Sequence, residues 1–451
     1  MDFNKIHKVY FVGIGGIGMS ALARFFHQRG AEVSGYDRTQ TPLTQSLQEE
    51  GILVHYTDDI DQVPADADLY VYTPAIPPEH NGLKWIRQNI RQLYKRSEVL
   101  GMLSRKFKTI AVAGTHGKTT ISSMITHLLL SAGKPLNAFI GGISVNLNSN
   151  FVFSDDAQWM VVEADEYDRS FLQLEPDIAI ISAIDEDHLD VYGSASSLKD
   201  TFENFVNKTS AQGVVYFHEN VKINKPKDIQ IKTYGFLAQN DVYADLPAVN
   251  DGKMNFAFHF SNFSIQKLEM EMPGEYNVVN ALAASAVANE LGLEASDIRE
   301  GLKSYKGVKR RFEIRVHSPK HIYIDDYAHH PEELSACIKA ARSFFPGKKL
   351  IAAFQPHLYS RTRDFADGFA KSLQMLDYVL LLDIYPAREE LIPGVSSQMI
   401  ADKMPEGMVK ILSKNEVLEF VKQNKPELFM TLGAGDIDQL VEPLTDILKT
   451  E

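Results

Sequence analysis

The period of the apolar positions changes twice in the first forty residues. Val9 to Val12 form a continuous apolar run, glycines follow, and Met19, Leu22, Ala23 and Phe26 then recur at helical spacing before a second strand, AEVSGY, ends at Asp37. The stretch KVYFVGIGGIGMSALARFFHQRGAEVSGYD therefore predicts strand, glycine turn, helix and strand, half of a doubly wound sheet. A further strand, ADLYVYTPAI, ends in a Thr-Pro turn, and the basic stretch SRKFKT (104 to 109) joins it to a second strand-loop-helix unit at TIAVAGTHGKTT. Apolar strands ending in polar loops continue through WMVVEADEYD and PDIAIISAIDEDHLD. The pattern restarts near residue 312 with HIYIDDYAHH, a helix opened by Pro331, and the strands KKLIAAFQPH, DYVLLLDIYP and LFMTLGAGD. The expected fold is α/β with three domains: 1–106 Rossmann-like, 107–312 a central ATPase-type α/β domain, and 313–451 a second Rossmann-like domain.

Length agrees with this division, since 451 residues exceed what one ordinary core holds. A formal net charge of -13 argues against a nucleic-acid backbone as partner, because such binding is driven by neutralising phosphates with Lys and Arg. Any phosphate site must be local. The single cysteine, Cys337, excludes an internal disulfide framework, and no run approaches a membrane span, so the expectation is a cytoplasmic chain.

Two glycine-rich loops carry the candidate chemistry. Gly13, Gly15 and Gly18 fit GxGxxG between strand and helix, with Gly16, Met19 and Ser20 beside them, and Asp37 ends the next strand. Backbone amides there can approach a pyrophosphate at a helix N-terminus, and the acid can accept from a ribose. The motif alone does not choose between NAD and a nucleotide sugar. The second loop, AGTHGKTT, is not a standard Walker A, because the first glycine of that pattern would fall on Val112. Gly114 and Gly117 instead bracket Thr115 and His116. The physics survives the shift: amides curl around phosphate oxygens, Lys118 neutralises them, and Thr119, followed by Thr120, offers a hydroxyl to Mg²⁺. Glu163 ends an apolar strand where a carboxylate reaches such an ion, whereas Asp165, Glu166 and Asp168 read as a solvated loop. His188, set among carboxylates in DEDHLD, is a candidate for a second divalent ion, although imidazole is an unusual Mg²⁺ ligand. In GEYNVVNALAA, Asn277 and Asn280 could read an adenine edge with Tyr276 stacked beside them; helix capping by Asn277 explains the same residues equally well.

Together GIGGIGMS, GTHGKTT, EADEYD, DHLD, NVVN, RRFE, DDYAHHP and QPHLYSRTRDF, in this order along the whole chain, resemble the Mur ligase superfamily. The resemblance implies an N-terminal domain for UDP-N-acetylmuramate (with Thr73 at its site), a central domain for ATP with Mg²⁺ or Mn²⁺, and a C-terminal domain that closes over both. It casts Lys118, Thr119, Glu163 and His188 as phosphate and metal residues, Asn280 as adenine reader, Arg311 as phosphate contact and Asp326 as ribose contact. The last two motifs mark the branch whose incoming amino acid is L-alanine, with Tyr327, His357 and Arg361 near it. Tyr276 stands where histidine is common, Ala183 where asparagine is, and Leu358 where arginine is; a carbamylated lysine cannot be assigned to Lys199 or Lys208. The branch that reattaches a recycled tripeptide shares most motifs, and an NAD-dependent dehydrogenase would explain GIGGIG but leave GTHGKTT idle.

Overall fold

The computed structural model describes the chain except residues 186–191, 193, 225–227, 251, 388, 450 and 451, and the side chain of residue 195. Contacts divide it into two compact units: 1–245 with 258–265 and 279–302, and 303–451 with 246–257 and 266–278. Among the described residues no helix is long and apolar enough to cross a membrane.

The first unit holds two sheets. The leading one comprises β1 (Lys8–Val12), β2 (Glu32–Tyr36), β3 (Leu53–His55), β4 (Leu69–Tyr72) and β5 (Leu93–Lys95), all parallel in the order β3-β2-β1-β4-β5. This doubly wound order reverses between β1 and β4, so a crevice opens past their carboxyl ends, where ligands bind in such sheets. Helix α1 (Ile17–Gln28) leaves β1 through the glycine turn; α2 (Pro42–Glu49) is capped by Thr41, and α3 (Asn81–Asn89) and α4 (Arg96–Ser104) follow.

The second sheet contains β6 (Lys108–Ala113), β7 (Leu136–Ser144), β8 (Ser149–Val152), β9 (Trp159–Glu163), β10 (Ile178–Ile181), β11 (Val214–His218), β12 (Gln230–Gly235) and β13 (Val242–Ala244). Their order is β13-β12-β11-β10-β6-β9-β7-β8. Central β6 is parallel to both neighbours and fully apolar from Ile110 to Ala113, as a strand covered on both faces must be. Helix α5 (Lys118–Ser131) follows β6. The two sheets share one core, in which Phe25 of α1 meets Phe139 and Phe151 with ring centroids 5.8 and 6.3 Å away. Buried Arg24 on α1 joins them further, donating to Glu50, to Ser46 and, at 2.6 Å, to Asn150 on β8.

Strands β14 (Ala248–Asn250), β15 (Lys253–His259) and β16 (Ser264–Met270) come next, then α6 (Glu275–Glu290). The second unit is built on β17 (Glu313–His317), β18 (Ile322–Asp326), β19 (Leu350–Phe354), β20 (Tyr378–Leu381), β21 (Val409–Ile411) and β22 (Leu428–Leu432). They run in the order β17-β18-β22-β19-β20-β21, with β17 alone antiparallel. Helices α7 (Pro331–Phe344) and α8 (Tyr359–Leu373) leave β18 and β19, placing DDYAHH and QPHLYSR at carboxyl strand ends.

Candidate active site

The turn after β1 is fixed by its neighbours. Gly13 has φ +91°, and a Cβ there would meet Thr73 at 2.6 Å, so Thr73, just past β4, packs against this turn. The Gly13 and Ile14 amides donate to Tyr36 O. Asp37 is partly committed to the turn itself, because its Oδ2 accepts the Gly15 N–H at 2.7 Å and its Oδ1 that of Thr39. Gly16 is exposed, and Met19 and Ser20 are buried in α1.

The loop after β6 needs both of its glycines. Gly114 (φ +133°) and Gly117 (φ +83°) lie in the left-handed region. A side chain at 114 would also fall on Ser182, and one at 117 would meet Asn280 Oδ1 at 2.8 Å, so Asn280 lies against the loop. The end of β10 braces the loop from below. Thr115 N donates to Ala183 O, Ser182 Oγ donates to His116 O, and Asp185 bonds Thr115 Oγ1 and pairs with His116 Nε2 at 3.3 Å. Thr119 and Thr120 are buried at the start of α5.

Lys118 is enclosed. Its Nζ donates to Gly114 O at 2.7 Å and pairs with Glu166 at 2.8 Å, the Glu166 side chain being wholly buried. Burial works against the ammonium, but the carboxylates of Glu166, Asp165 and Glu163 outweigh it and hold its pKa above the usual lysine value. Glu166 is thus not part of a solvated loop, as its acidic surroundings suggest: the Lys118 charge and a bond from Tyr192 to its carbonyl draw it inward. Glu163 is half-buried at the end of β9 and accepts from Gly141 N at 3.0 Å. A glycine stands at 141 because a Cβ would fall on that carboxylate. The carboxylate of Glu163 and the hydroxyl of Thr119 are hard oxygen donors, the set a small divalent cation takes. His188 lies outside the described residues.

A cleft of about 240 Å³ joins the first loop to Glu163. Gly16 to Met19, Thr73, Arg96, Gly141, Glu163 and Asp165 line it.

In the second unit, buried Asp326 accepts from Phe312 N at 2.6 Å and from Ala328 N at 2.7 Å. Burial pushes its pKa up to about 6 against the opposing pull of Arg311 and these amides. The Tyr327 ring lies beneath two guanidiniums, Arg310 at 5.2 Å and Arg311 at 5.0 Å. Arg310 is itself held by buried Asp325 at 3.1 Å and by Gly433 O. His357 stacks on Tyr385 and meets His329 edge-on, each with ring centroids 5.8 Å apart. Leu358 opens α8 with φ +70°, a conformation a leucine rarely adopts, anchored by its N–H to Tyr385 O. Arg361 is half-buried in the first turn of α8. Asn277 is buried and donates to Pro273 O, a local anchor at the start of α6, and half-buried Tyr276 packs against Gly274.

Sequence reasoning missed Glu166, Arg96, Ser182, Asp185 and the Arg310–Asp325 pair. Ser182, Asp185, Glu166 and Asp325 follow or end an apolar strand, the same signal that marked His188; Arg96 and Arg310 carry no such signal.

Comparison with known proteins places three family models in series on this chain: the Mur ligase family catalytic domain on 8–108, the Mur ligase middle domain on 112–288, and the Mur ligase glutamate ligase domain on 310–435. The chain is 46% identical over 453 residues to the UDP-N-acetylmuramate--L-alanine ligase of Cytophaga hutchinsonii, covering 98% of this chain and 97% of that one. It is 44% identical over 452 residues to the protein of the same name from Porphyromonas gingivalis W83, covering 98% and 99%. Its fold matches the crystal structure of a UDP-N-acetylmuramate-alanine ligase from Thermotoga maritima with a TM-score of 0.83, at 28% identity and over 97% and 98% of the two chains. A murein peptide ligase from Psychrobacter arcticus shares the fold, with a TM-score of 0.71 at 21% identity over 99% of each.

Proposed function

This chain belongs to the Mur ligase family, and from that premise we propose that it joins L-alanine to the lactyl carboxylate of UDP-N-acetylmuramate at the expense of ATP. The observation that carries the reading is the cleft running from the GxGxxG turn to Glu163, beside a loop whose lysine is already paired with a carboxylate. In this reading the cleft leads from the turn for the sugar nucleotide to Glu163, the carboxylate that would face the triphosphate and its metal ion.

The glycine turn, with Thr73 and Asp37, holds the sugar nucleotide. The amides of 114–117, Lys118 and Thr119 hold the triphosphate, Asn280 and Asn277 its adenine, and Arg311 and Asp326 its phosphates and ribose. Thr119 and Glu163, both oxygen donors, would hold Mg²⁺ or Mn²⁺, which would supply neutralisation of phosphate charge. The lactyl carboxylate oxygen attacks the γ-phosphorus, the bond to the β-phosphate oxygen breaks, and ADP leaves. Lys118 serves this step by neutralising the approach of one anion to another. The amine of L-alanine then attacks the acyl carbon, phosphate leaves with the C–O bonding pair, and the amine proton passes to a base, for which His357 is the candidate. Arg361 takes the alanine carboxylate in a guanidinium fork, and Tyr327 lies with it at the amino-acid site. An acyl phosphate hydrolyses, so the second step requires a site closed to water.

The branch that takes a recycled tripeptide is disfavoured by HLYSR and by the names of the relatives above 40% identity. Phosphate release from ATP with UDP-N-acetylmuramate tests the choice. Release is expected with L-alanine; release with the tripeptide alone overturns the assignment.

A further inference from the structure

Arg96 is the first residue of α4, immediately past β5, and so lies at the carboxyl edge of the leading sheet. Its guanidinium rests on the glycine turn: a Cβ at Gly18 would be 2.7 Å from Nη1. Gly18 is not in the left-handed region, so conformational freedom does not explain a glycine there. Its missing side chain is what lets the guanidinium approach. The ion pair of Arg96 with Asp165 is long, 3.9 Å, and Asp165 is 41% exposed, so solvent screens it and it holds the side chain weakly. The neighbouring Lys95 pairs with Asp168 at 3.4 Å, again between partly exposed groups. The donor fork of Arg96 therefore lines the cleft between the turn and Glu163, in a protein of strongly negative net charge.

We propose that Arg96 is a binding residue for the diphosphate of the sugar nucleotide, gripping it beside the turn amides. This rests on the sugar-nucleotide reading of the cleft. A guanidinium presents parallel N–H donors that match two phosphate oxygens, and a diphosphate seated on the turn amides would lie beside the atom nearest Nη1, at Gly18. The lactyl carboxylate has to reach the triphosphate at the other end of the cleft, beside Glu163. When the ligand enters, Arg96 exchanges the weak Asp165 contact for a charge-assisted one.

Calorimetric titration of UDP, UDP-N-acetylglucosamine and UDP-N-acetylmuramate into wild type, Arg96→Ala and Arg96→Lys, without ATP, tests this. Arg96→Ala should weaken all three ligands alike, on the order of tenfold to hundredfold, and Arg96→Lys should recover part of the loss. Unchanged affinities would make Arg96 only a partner of Asp165. A loss confined to UDP-N-acetylmuramate, the one probe with a lactyl carboxylate, would place the guanidinium there instead and overturn the diphosphate assignment. Should Arg96→Ala fold poorly by thermal unfolding, Asp165→Asn decides the matter from the other side. Removing the competing carboxylate should keep or tighten UDP binding, and weaker binding would refute the exchange. Wild type that binds UDP but releases no phosphate with L-alanine would defeat the ligase reading while leaving Arg96 where it is.

Discussion

Lys118 and Glu166 show how a residue's neighbours define its role. A buried ammonium without a counter-charge is costly, and Glu166 supplies that charge. Glu166→Gln should cost about 3 kcal/mol of stability in urea unfolding, the amide oxygen and Gly114 O recovering part of the loss. A triphosphate would restore the missing charge, so ATP should raise the thermal midpoint more in Glu166→Gln than in wild type. Equal ATP shifts would show that the carboxylate stays on Lys118 when nucleotide binds. Asp326 carries a second prediction. Its folded pKa is raised, from 3.8 to about 6, so the protonated form is favoured in the fold, and the resulting stability is fully present below the unfolded pKa and lost as pH rises through 6. Two pKa units correspond to about 3 kcal/mol. Asp326→Asn should start less stable, because an amide nitrogen cannot accept from Phe312 or Ala328, and should lack this fall between pH 4 and 7. Burial moves Asp325 in the same direction, but that residue remains in the variant, so the difference isolates Asp326. Parallel pH profiles would locate the titration elsewhere.

At the scale of elements, strands and helices were legible where one periodicity ran unbroken. The apolar run of β1, the helical spacing of Met19, Leu22, Ala23 and Phe26 on α1, and Pro331 at the first turn of α7 each act through residues adjacent in sequence, and the structure forms those elements there. What joins elements was not legible. Arg24 reads as one more polar position on α1, yet its bond to Asn150 spans 126 residues and is buried. Glu166 lies 48 residues from Lys118, inside an acid-rich segment whose composition points to solvent. The third glycine of GxGxxG reads as one of the turn residues that let amides approach a phosphate, while its actual neighbour is the side chain of Arg96, from a helix that follows four further strands. Local pattern specifies periodicity and turn chemistry; it does not specify which distant charge will fill a space left by a glycine.

For the whole molecule, the recurrence of strand-then-polar-loop along the chain already implied α/β units in series, and Gly13, Gly114, Glu163, Asp326 and His357 stand at or just past carboxyl strand ends in three sheets. Sheet order, with β6 central and β9 and β10 on either side of it, depends on pairings far apart in sequence and could not be read. That order has a functional consequence, because the glycine turn belongs to the leading sheet and Lys118 to the next, so the two ligands should be separable by mutation. Lys118→Ala should abolish amide formation and leave UDP-N-acetylmuramate affinity within about twofold, since its partners Gly114 and Glu166 belong to the second loop and the acidic segment after β9. Asp37→Ala should do the converse. It frees the Gly15 N–H that Asp37 now fixes at 2.7 Å, loosening the turn, and should weaken the sugar nucleotide by roughly tenfold, the worth of one charge-assisted bond, while ATP still protects against thermal unfolding. Titration calorimetry with the sugar nucleotide and thermal unfolding with ATP read the two arms separately. Comparable loss of sugar-nucleotide affinity in Lys118→Ala would mean that the two loops act as one site, and stabilisation of the wild type by NAD rather than by the UDP-sugar would return the first loop to a dehydrogenase role.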